Sequence, residues 1–153
     1  MIYEKVFNFH ITVVGDGPDL PQLKSAINEA ELNNYFSFTG WITDVDEYLK
    51  KSDLLIHTSI NDNCPYSVIE AISRQIPVLA FSVGGLPEIL SKEFLFKLND
   101  YKSIAEFIIQ NRACFSDIGI QQSNKIAKSF SVKYQFKHTK EAYLSLLNLK
   151  LIS

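Results

Sequence analysis

Residues 53–90 constrain the chain more than any other stretch. They read DLLIHTSINDNCPYSVIEAISRQIPVLAFSVGGLPEIL. An apolar run from Leu54 to His57 fits a strand, and the polar residues Ser59 to Asn63 fit a loop. Pro65 then opens a helix that carries Glu70; the N–H that proline lacks is not needed in a first turn. A second apolar run, Pro77 to Phe81, ends in a turn at Gly84 and Gly85, and a short segment with Glu88 follows. Two strands that each deliver a polar loop and a helix start are units of a parallel α/β sheet. In such sheets ligands collect outside the carboxyl ends of the strands.

The flanks continue the alternation. Phe9 to Val14 is apolar and contains β-branched residues, so it reads as a buried strand. Gly15-Asp16-Gly17-Pro18 breaks it, and Asp19 can cap a helix from Leu20 to about Leu32, with Leu20, Leu23, Ile27 and Ala30 on one face. Tyr35 to Phe38 reads as a strand closed by Thr39-Gly40, and Thr43 or Asp44 can cap a short helix through Lys51. Beyond the central stretch, Phe94 to Leu98 fits a last strand. Asp100 or Ser103 can cap a helix through Cys114, with Ile104, Phe107 and Ile108 inward. Ser116 to Phe130 and Ser131 to Leu149 read as two more helices. The second is amphipathic, with Val132, Phe136, Thr139, Tyr143 and Leu146 along one stripe. The order β-α-β-α-β-α-β-α-β followed by helices predicts an α/β, Rossmann-like parallel sheet with helices on both faces.

Composition narrows the function classes. The chain has 153 residues, 46% hydrophobic and 21% charged, enough for one compact domain with a sizeable core. A formal net charge of -2 makes no electrostatic case for nucleic acid or an anionic membrane. No apolar run approaches a membrane span. The start, MIYEKVFNFHITVV, mixes charge into its apolar residues and does not read as a signal peptide. Cys64 and Cys114 form no CxxC, and His10 and His138 have no partners at metal-ligand spacing, so no metal site is expected. A reducing cytoplasm is the simplest compartment.

The residues of the central loops each admit two readings. The amides of Tyr66 and Ser67, just past Pro65, lie at a helix start, where the dipole and unpaired N–H groups favour an anion. Glu70 lies one turn on, shares a face with them, and can accept two hydroxyls such as a ribose diol offers. Asp62 is within reach of the same space. Alternatively, Glu70 and Arg74 are an exposed i,i+4 pair and Asp62 is a turn residue. Gly84-Gly85 is either a backbone nest for an oxygen or a plain turn, and Glu88 either faces a ligand or serves its own helix start. Gly15 lies in a tight β-to-α turn that can also admit a ligand close to the backbone. Trp41, after Gly40, either flanks a base or packs. His57 reads as a satisfied core histidine. Ser59 lacks the setting of a nucleophile elbow.

Taken together, the motifs resemble the C-terminal, donor-binding half of retaining glycosyltransferases of the GT-B fold. These are the glycosyl transferases group 1, family 4-like, with an E-x7-E motif. Val13-Val14-Gly15-Asp16-Gly17-Pro18 is similar to the family's strand and GxGP turn, and Phe38-Thr39-Gly40-Trp41 to its FxG turn. Asp62 and Glu70 fall on the two acidic positions. Ile76-Pro77-Val78 and Val83-Gly84-Gly85-Leu86-Pro87-Glu88 resemble its GxPVIA and VGGxxE segments.

That resemblance implies a set of roles. Glu70 binds the ribose hydroxyls of a UDP-, GDP- or ADP-linked sugar. The amides near Tyr66 and Ser67, after Pro65, touch the diphosphate or sugar. Asp62 approaches the transferred sugar as the catalytic carboxylate. Gly40 and Trp41 lie beside the base, Gly15 near the domain cleft, and Gly84, Gly85 and Glu88 on the donor side. It implies transfer of a hexose to a glycan or lipid acceptor with retained configuration, as in polysaccharide biosynthesis. No bound metal or other cofactor is implied. The compartment is the cytoplasm, or the inner face of its membrane in a full enzyme.

Two departures accompany the resemblance. The first acid is Asp62 where the family has Glu. The chain also starts after the family domain's first strand and helix, whose strand ends in the Arg and Lys that neutralise the diphosphate, and it lacks the N-terminal acceptor domain. Residues 1–153 therefore read as a single donor-binding domain, a fragment of a two-domain enzyme, inactive or nearly so alone. Because the first Rossmann strand is central, its absence predicts an altered sheet, or association with the missing acceptor domain or a partner chain. A non-catalytic nucleotide-binding module and a structural partner are the alternatives. A GT-B sugar-nucleotide epimerase shares the architecture, but the acidic register argues against it.

Overall fold

A computed structural model of the chain describes residues 9–150. The signal-peptide reading concerns residues 1–8 in part, and those residues and the side chain of Val132 lie outside the described set. The chain divides into two compact units, Met1–Glu47 and Tyr48–Ser153.

The first unit is a β-α-β crossover. Strand β1 (Ile11–Val14) pairs in parallel with β2 (Phe36–Gly40), from Ile11 opposite Phe36 to Val14 opposite Gly40. Helix α1 (Leu20–Glu29) joins them and buries Ile27. Asp19 occupies the expected capping position, but its side chain makes no capping bond. The nearby acid that does engage the backbone is Asp16, whose Oδ1 accepts the Gly17 N–H at 2.7 Å. The helix also stops before Leu32. Glu31 takes a left-handed φ of 58°, its N–H returns to the Asn28 carbonyl, and the Leu32 N–H returns to Ile27, both at 3.0 Å. This is the Schellman arrangement, which satisfies the last carbonyls of a helix.

The second unit, entered through α2 (Asp46–Lys50), contains β3 (Leu55–His57), α3 (Tyr66–Ser73), β4 (Val78–Phe81), α4 (Leu86–Ile89) and β5 (Leu95–Phe96). Helices α5 (Tyr101–Asn111), α6 (Phe115–Ser129) and α7 (Val132–Lys150) follow. The sheet is parallel with order β3-β4-β5. All four residues of β4 are fully buried, as expected of a central parallel strand covered on both faces. Leu79 and Phe81 pack with Phe94, Ile104 and Ile118, and Phe107 and Ile108 lie partly buried beside them. Val68, Ala71 and Ile72 of α3 are also fully buried. Of the two candidate caps, Asp100 caps α5, accepting the Ser103 N–H at 3.1 Å and its hydroxyl at 2.8 Å.

The β-α alternation and the parallel pairing are those of a Rossmann-like α/β chain. Among the described residues, β1-β2 and β3-β4-β5 are two separate parallel sheets. Only β2 pairs with β1, and only β4 with β3. The apolar side chains of α7 also differ from a packed stripe: Phe136, Tyr143 and Leu146 are exposed.

Candidate functional site

The acidic loop and the helix it feeds are built at the carboxyl end of β3. Pro65 stands at the N-cap of α3 in extended geometry, with φ -69° and ψ 109°. Its carbonyl accepts the N–H groups of Val68 at 3.1 Å and Ile69 at 3.3 Å. The amides of Tyr66 and Ser67 therefore precede the first intrahelical bond and sit at the positive end of the helix. Tyr66 is 77% exposed and Ser67 is exposed, whereas Glu70, one turn further on, is half-buried. Arg74 sends its Nη1 to the carbonyl oxygen of Glu70 at 2.9 Å.

Asp62 is held from three sides. Its Oδ1 accepts the Cys64 N–H at 3.2 Å, an Asx turn that fixes the carboxylate ahead of the helix. Its Oδ2 lies 3.5 Å from His57 Nε2. Its main-chain carbonyl accepts the Gly85 N–H at 3.2 Å. The glycine turn is thus neither a plain turn nor a wholly open nest, because it is pressed onto the acidic loop. A methyl at Gly84 would collide with the Asp62 carbonyl oxygen, and one at Gly85 with the Asn63 carbonyl oxygen. Gly84 also takes φ +52°, which side chains rarely adopt. Glu88 is exposed in the first turn of α4. The structure therefore brings Asp62, Gly84 and Gly85 together at the loop that leads through Pro65 into α3.

His57 corrects the expectation of a satisfied core histidine. Among the described residues its buried Nε2 has no hydrogen-bond partner. The 3.5 Å approach to Asp62 is close enough for attraction between charges and too long for a good hydrogen bond. Burial pushes the imidazole below its usual pKa, and the Asp62 carboxylate partly offsets this. A polar residue closing an apolar strand at the ligand edge was the signal that could have drawn attention to it.

In the first unit, the Gly15 N–H donates to the Gly40 carbonyl at 3.0 Å, so the turns after β1 and β2 are tied together. Gly15 also lines a depression of about 230 Å³ with Asp16, Asp19, Leu20 and Leu23. Trp41 is 80% exposed, which removes the packing reading. A larger cleft of about 540 Å³ in the second unit is lined by Pro87, Leu90, Lys92, Leu95, Phe96 and Lys97, together with Ser82. Neither acidic position belongs to it.

Rossmann-like units with their polar loops at the carboxyl ends of the strands define the class, an α/β fold of the GT-B type. The structure matches HepE of Anabaena crystallised with UDP at a TM-score of 0.77 and 21% identity, covering 90% of this chain and 41% of that one. The same protein with UDP-glucose matches at 0.76 and 22%, covering 89% and 41%. At these identities the likeness establishes the fold. The chain belongs to the glycosyl transferases group 1 family, whose model matches residues 1–111. Among curated relatives, the 2-deoxystreptamine glucosyltransferase of Streptomyces kanamyceticus is 33% identical over 87 residues, 56% of this chain and 22% of that protein. Protein CapJ of Staphylococcus aureus is 30% identical over 113 residues, 72% and 28% respectively. The chain thus spans about a quarter of the length of these relatives. Among the described residues, no helix is long and apolar enough to cross a membrane.

Proposed function

We propose that this chain supplies the donor side of a retaining glycosyltransferase and binds a nucleotide diphosphate sugar at the loop and helix from Asp62 to Glu70. The observation that carries this reading is the geometry of α3. Its start leaves the amides of Tyr66 and Ser67 open beyond Pro65, and a half-buried carboxylate follows one turn later. Open amides at a helix start suit a diphosphate. A carboxylate at Glu70 accepts two vicinal hydroxyls, as the ribose presents them. Asp62, fixed by its Asx turn and the glycine turn, faces the transferred hexose. Glu88 with Gly84 and Gly85 completes the donor side. The UDP and UDP-glucose bound by the HepE structures make a uridine donor the first to try.

In this reading no metal takes part, and stabilisation of the departing diphosphate is the main chemical contribution. The acceptor, a glycan or lipid, is held by an N-terminal acceptor domain or partner chain, in the cytoplasm or at the inner face of its membrane. The chain alone then binds donor but transfers little, because reactants must be held together for the reaction. The test is calorimetry against UDP, GDP and ADP with the wild type and Glu70→Ala. One nucleotide should bind, and its affinity should drop at least tenfold in the variant. Equal affinities would remove the ribose assignment.

A further inference from the structure

Strand β3 ends in a side chain that neither the ribose nor the phosphate contacts require. Nε2 of His57 is buried and, among the described residues, has no hydrogen-bond partner. Native proteins rarely leave such an atom unsatisfied without a functional or strain-related reason. Asp62 Oδ2 lies beside it at 3.5 Å. That oxygen is directed by the rest of the loop. Oδ1 is taken by the Cys64 N–H, and the Asp62 carbonyl is tied to Gly85. The carboxylate plane is therefore set by one backbone bond, and the imidazole is aimed at the oxygen left over.

We propose that His57 is a positioning residue for Asp62, directing its Nε2–H at Oδ2 so that the carboxylate presents a fixed edge to the sugar of a nucleotide-sugar donor. The inference rests on the reading above that Asp62 faces that sugar. A movement of a few tenths of an ångström, on the order of what separates 3.5 Å from ordinary hydrogen-bond length, completes the bond when the donor occupies the loop. Burial favours the neutral ring, and a neutral imidazole with its proton on Nε2 is a donor at that atom. In this arrangement His57 acts through Asp62, so its effect falls on sugar recognition. The nucleotide's own contacts, at Glu70 and the start of α3, do not pass through it.

The test has two arms on the intact chain. In the first, nitrogen-detected NMR follows the His57 ring through a pH titration in the wild type and in Asp62→Asn. The expected result is an Nε2–H tautomer in the wild type and a lower His57 pKa in the variant, since the carboxylate's support is lost. An unmoved pKa overturns the inference, and this arm needs no ligand. In the second, calorimetry compares UDP with UDP-glucose in the wild type, His57→Leu and His57→Gln. UDP should bind all three within twofold. The ratio of UDP-glucose to UDP affinity should fall five- to tenfold in His57→Leu and recover in part in His57→Gln, which keeps an N–H donor. An unchanged ratio in His57→Leu, with UDP bound normally, also overturns the inference. Failure of UDP to bind even the wild type overturns the donor reading itself, and the ring titration still decides whether His57 orients Asp62.

Discussion

Gln122 of α6 bonds to both main-chain polar groups of Val78: its Oε1 accepts the Val78 N–H at 2.8 Å and its Nε2 donates to the Val78 carbonyl at 2.9 Å. The sheet explains why. Leu55 donates to the Pro77 carbonyl, so the polar groups of Val78 turn the other way. On that side β5 pairs only from Ala80 onward. A side-chain amide, with one donor and one acceptor side by side, fills the place of the missing strand residue. Gln122 is only 4% exposed.

Gln122→Leu should therefore leave two buried backbone groups unsatisfied and destabilise the chain by roughly 2–4 kcal/mol. Urea unfolding followed by circular dichroism measures this as a lower midpoint. A variant with the wild-type midpoint would mean that water replaces the amide without loss.

Two glycines make close backbone approaches that stability and binding measurements can tell apart. A methyl at Gly119 would collide with the Gln75 carbonyl where α6 crosses the turn before β4, and a methyl at Gly84 with the Asp62 carbonyl. Both Gly→Ala variants should cost about 1–3 kcal/mol, the usual range for overpacking. If the proposed donor site lies at the acidic loop, Gly84→Ala should additionally weaken UDP-glucose binding, because it displaces that loop. Gly119→Ala, at a temperature where it is folded, should not.

The half-buried His57 should set an acid limit on stability. Its folded pKa is below the ordinary 6.5, so around and below that value the unfolded chain binds more protons than the folded one. The contribution of neutral His57 is fully present above pH 6.5 and is lost progressively as pH falls toward the folded value. Thermal melts between pH 7.5 and 5.5 should show Tm falling on acidification, with a shallower fall in His57→Leu. The same slope in both proteins would assign the acid limit to other groups.

Trp41 tests how little an exposed aromatic contributes to stability. At 80% exposure, its replacement by Ala should change unfolding free energy by no more than about 0.5 kcal/mol. Urea unfolding followed by circular dichroism measures this, and a clearly larger loss would mean that the ring is packed against its own unit.

Much of this was legible in residue order because the signals are local. Apolar runs punctuated by Gly, Pro and Asp located β3, α3 and β4 within a residue or so, and Asp100 caps α5 as its place before Ser103 indicated. The helix start at Pro65 and the place of Glu70 in α3 follow from the same grammar. The partnerships that hold Asp62 were not legible. His57 and Gly85 approach it through the stacking of separate strand ends, which no periodicity reports. Gln122 looked like one polar residue among many on α6, since its partner lies 44 positions away. Strand lengths were overread, with Phe9 to Val14 reduced to Ile11–Val14 and Phe94 to Leu98 to two residues. Apolar composition alone does not say where pairing stops.

The strand pairing bears on handling of the molecule. Among the described residues β1 and β3 each offer one flank without a neighbouring strand, and Ile11, Val14 and Ile56 are exposed on them. An open β flank of this kind is a template for any extended segment. Concentrated samples should thus self-associate reversibly in light scattering, and a lysine placed at Thr12 should keep them dispersed.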